Sequence, residues 1–86
     1  MNKKLLDELN FILEEAEAKV GNKIEKVLLE MYWQIGYCLR EYNEEELNIL
    51  IKELSLLLKL EQEIFFTAYH LYKEYPIKKN IRRIAA

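Results

Sequence analysis

Apolar residues recur along this chain at spacings of three and four, the repeat of an α-helix, and β-structure has little claim. The densest stretch is IEKVLLEMYWQIGYCLREY, Ile24 to Tyr42. At about 100° per residue, Ile24, Val27, Leu28, Met31, Tyr32, Ile35, Cys38, Leu39 and Tyr42 share one broad face, while Leu29, Trp33 and Tyr37 lie on the other side. Only Lys26, Glu30, Gln34 and Glu41 form a plainly polar strip. A helix apolar over most of its girth has to be surrounded, so residues 22–42 are expected to form a central buried helix. Gly36 inside it costs about 1 kcal/mol relative to alanine. It is expected to be a notch beside Trp33 that lets another helix cross closely.

The flanking segments carry narrower stripes. From Lys3 to about Lys19, Leu5, Leu9, Ile12, Leu13 and Ala16 fall on one face, with Phe11 and Ala18 off the stripe. Gly21-Asn22 then suits a helix end followed by a start, since Asn22 and Glu25 match a capping box. The rival is one long helix from Lys3 to Tyr42, because Val20 continues the stripe. Asn43 with Glu46 repeats the box, and Glu44, Glu45 and Glu46 face the positive end of the next helix dipole. That third helix, Glu44 to about Lys59, has Leu47, Leu50, Ile51, Leu54 and Leu58 on one side and Ile49, Leu56 and Leu60 near the other. Two apolar stripes need two partners, either another part of the fold or a second subunit. The fourth helix, about Glu61 to Tyr75, carries Ile64, Phe65, Ala68, Leu71, Tyr72 and Tyr75 on its core face, and Pro76 ends it. Beyond lies IKKNIRRIAA, either a short amphipathic helix or a frayed end.

Composition narrows the picture. The chain has 86 residues, enough for one domain over 1–86, and only two glycines and one proline, so its elements are long. The sum is an all-α chain: an antiparallel bundle of four helices with room for a short C-terminal fifth. A third of the residues are charged, the net charge is −2, and no apolar run is long enough to span a bilayer. The start MNKKLLDELN mixes acidic and polar residues before any apolar region, which reads against a signal peptide, so a cytoplasmic protein is expected. Charge is uneven, with a basic tail of Lys78, Lys79, Arg82 and Arg83 on an acidic body.

Candidate chemistry is thin. His70, Cys38 and Ser55 are each the only residue of their type. A reactive thiol needs a lowered pKa in a cleft, whereas Cys38 is patterned as core. A di-iron site in a bundle needs paired Glu-x-x-His motifs, and Thr67 stands three residues before His70. There is no Gly-rich phosphate loop. No enzyme, cofactor, metal or small-molecule substrate is therefore expected.

The run Leu29 to Arg40, with Tyr32-Trp33-Gln34-Ile35-Gly36 at its centre, resembles the signature of the N-terminal helical domain of YhcG-type proteins. Ile51 to Leu58, with Leu54-Ser55, and His70 to Pro76, HLYKEYP, resemble later helices of that family. The resemblance implies an all-helical, helix-turn-helix-like domain, which in that family precedes a PD-(D/E)xK nuclease domain that has no counterpart in these residues. Where the family opens its last helix with Ser, Arg and Asn, this chain has Glu61, Glu63 and Ile64. Two glutamates there would repel a phosphate backbone.

Two functional expectations follow. The first is a non-enzymatic interaction module, a homo-oligomer or the partner of another protein, with Trp33, Tyr37, Ile49, Leu56 and Leu60 at the contact; Trp33 and Tyr37 are either covered by the first or last helix or anchor the partner, since Trp and Tyr are enriched at interface hot spots. The alternative is a nucleic-acid-binding accessory domain whose phosphate contacts come from Lys78, Lys79, Arg82 and Arg83.

Overall fold

A computed structural model describes residues 3–19 and 24–83. It contains α1 (Lys3–Lys19), α2 (Ile24–Cys38), α3 (Glu44–Leu58), α4 (Gln62–Glu74) and a closing 3-10 helix (Lys78–Arg83). The chain is all-α, a small helical bundle with a short terminal turn.

α2 is the central element. It packs on α4, on α1 and on the 3-10 helix, whereas α3 is held chiefly by α4. The Gly21-Asn22 break lies outside the described residues, yet the single long helix is excluded by what it would join. Cys38 Sγ lies 3.6 Å from Glu8 Oε2, and a continuous helix would separate two such residues by about 45 Å. Ala16 likewise shares a hollow with Val27 and Met31. The two helices therefore run antiparallel, face to face.

The C-terminal end of α2 departs from expectation. The wheel carries the helix to Tyr42, but it stops at Cys38. The Leu39 N–H is shared between the carbonyls of Ile35 and Gly36, and Arg40 and Tyr42 then bond three residues back, to Tyr37 and Leu39. The chain tightens there because Asn43 must be extended (φ −82°, ψ 172°) to cap α3. Its capping box forms as the sequence indicates: the Glu46 N–H donates to Asn43 Oδ1 at 2.8 Å and the Asn43 N–H to Glu46 Oε1 at 3.1 Å.

α3 ends on Lys59, a non-glycine residue in the left-handed region (φ 56°, ψ 43°). Its N–H and that of Leu60 both return to the carbonyl of Ser55, and the Ser55 hydroxyl donates to the carbonyl of Leu60. This hydrogen-bonded reversal sends the chain into α4, whose first residues follow Glu61. Leu47, Ile51 and Leu54 of α3 join Leu5, Leu9, Ile35, Leu39, Phe65 and Ala68 in one core.

The crossing of α2 and α4 fixes the rest. Gly36 sits where α4 comes closest. A Cβ placed there would lie 2.8 Å from Tyr72 Cβ and 2.9 Å from the Ala68 carbonyl carbon, and would run into the Ala68 carbonyl oxygen. The expected notch is therefore real, and what fills it is backbone. The tail also takes a side: Ile81 of the 3-10 helix is fully buried. Among the described residues no helix is long and apolar enough to cross a membrane.

Two stability effects follow. Gly36→Ala would gain about 1 kcal/mol of helix propensity, but overpacking against a backbone carbonyl costs about 1–3 kcal/mol or more. The net change is expected to be destabilising, read as a lower urea midpoint, and an unchanged midpoint would contradict the close crossing. Lys59→Gly relieves a left-handed strain of about 1–2 kcal/mol while adding about 0.5–1 kcal/mol of unfolded-state entropy. Thermal unfolding should show the variant more stable than the wild type by a few degrees.

Candidate interaction surface

The residues expected at a contact divide between the inside and the outside. Trp33 is a correction: it is only 9 % exposed and belongs to the core. Its indole N–H donates to the Tyr75 carbonyl at 2.7 Å, satisfying a C-terminal carbonyl that the helix cannot. The last helix covers it because Tyr72 stands edge-on to its ring, with centroids 5.5 Å apart. Leu60 also turns inward, half-buried against the core. Tyr37, Ile49 and Leu56 stay outside.

Tyr37 is 43 % exposed, although its ring is contacted on several sides. It stacks on Trp33 at 5.5 Å and 21°, meets Tyr72 edge-on at 5.8 Å, and carries the Arg40 guanidinium 3.7 Å from its ring centroid. The same guanidinium donates to the Tyr37 carbonyl at 2.7 Å. These contacts fix the phenol ring beside a groove between α1 and α2. The groove has a volume of about 890 Å³ and is lined by Phe11, Ile12, Tyr37 and Cys38, with Lys3, Lys4, Asp7 and Glu8 around it. Phe11, 54 % exposed, lines the same groove from α1.

The sequence pattern marks Phe11 only by its place off the α1 stripe, and it gains meaning when α1 docks antiparallel on α2 and brings it to the same groove as Tyr37.

On α3 the second stripe is left open. Ile49 is 73 % exposed and Leu56 is 81 % exposed, seven residues and two turns apart on one face, with exposed Leu57 beside them. Between them on that face stand Lys52 and Glu53, both exposed. No part of the described chain covers this ridge.

The groups with reactive chemistry stand on separate helices. Ser55 on α3 serves the helix end, and His70 on α4 is exposed beside the Tyr69 ring. Cys38 on α2 is half-buried and donates to Glu8 Oε2. Burial, then the Glu8 charge and this hydrogen bond, push its thiol up to about 11. Among the described residues no group of three or more His, Cys, Asp or Glu is placed to hold a metal.

The basic residues sit on the closing 3-10 helix. Lys79 is exposed and Lys78 half-buried; the side chains of Arg82 and Arg83 lie outside what the structure describes.

Comparison of the chain with protein-family models, with curated proteins and with solved structures finds no match.

The raised thiol gives a pH prediction. Alkylation of native Cys38 by iodoacetamide should climb between about pH 9 and pH 11, later than for a free thiol. Glu8→Gln should move that climb to lower pH. The sign for stability is the same: the folded state favours the neutral thiol, so this contribution is present below the unfolded value near 8.5 and is lost as pH rises toward about 11. A wild-type labelling profile centred below pH 9 would contradict the Glu8 contact.

Proposed function

We propose that this protein is a non-enzymatic helical interaction module that assembles with itself or with a partner protein through the outer face of α3. One observation carries the reading: Leu56 and Ile49 project from one helix face at 81 % and 73 % exposure while Leu47, Ile51 and Leu54 of the same helix are buried. Single exposed apolar residues are ordinary on any protein surface. A heptad-spaced pair with Leu57 alongside, flanked by the exposed Lys52 and Glu53, forms an apolar ridge, and large apolar side chains grouped on one exposed face mark contact sites.

The core supports this reading, because it already closes without the ridge. Removing the ridge should therefore change assembly and leave folding alone. Leu56→Glu is expected to keep the helical signal and unfolding midpoint of the wild type. Static light scattering over a hundredfold concentration range should show the wild type gaining mass and the variant remaining monomeric. A wild type that stays monomeric, with the substitution altering neither solubility nor binding, would remove the interface.

A further inference from the structure

We draw no further inference here: the strongest candidate, the groove between α1 and α2 where Phe11, Ile12, Tyr37 and Cys38 meet a rim of mixed charge, carries nothing because nothing in the structure shows what covers it.

Discussion

The close approach of α2 and α4 at Gly36 is the constraint on which the rest of this fold depends. With no side chain at that position, the α4 backbone at Ala68 reaches the α2 surface directly. A larger residue would hold the helices apart and separate the groups that lock the crossing. Trp33, one turn before Gly36, can then slide under Tyr72 and give its indole N–H to the Tyr75 carbonyl. Tyr37, one residue after, completes the aromatic triad from the outer side. Glycine's weak helix propensity costs about 1 kcal/mol, which is offset by contacts available only at short interaxial distance.

Once that crossing is made, the remaining surface of α2 is shared out. α1 takes one side, so that Leu5 and Leu9 meet Ile35 and Leu39 in the core. The 3-10 helix closes against α2 with Ile81 buried. α3 is left with α4 as its chief support, and it contributes one stripe to the core. A chain of 86 residues has a large surface for its volume, and its core is complete before the outer stripe of α3 is used. The exposed ridge is thus a consequence of topology: α3, packed on a centre already filled by the other elements, has one inner side to give.

The same topology creates the groove. Antiparallel docking of α1 on α2 brings Phe11 of α1 and Tyr37 of α2 to the lining of one hollow. Arg40, stacked on the Tyr37 ring and bonded to its carbonyl, keeps that wall from collapsing inward.

Much of this was written in the residues. Local chemistry determined the helices, because the period of apolar positions and the Asn43–Glu46 box act over a few residues of chain. Gly36 beside Trp33 was legible as a crossing point, since an unfavourable residue in a strongly apolar helix needs a packing reason. The open stripe of Ile49 and Leu56 was visible too, as a second periodicity on one helix. Tertiary structure alone decided the opposite fates of Trp33 and Tyr37, which share a helix face: α4 ends over the first and leaves half of the second in solvent. It also decided the early end of α2 at Cys38 and brought Phe11 and Tyr37 to one groove. Periodicity reports which side of a helix is apolar, but the length and direction of the neighbour that covers it are set by contacts between residues far apart in the chain.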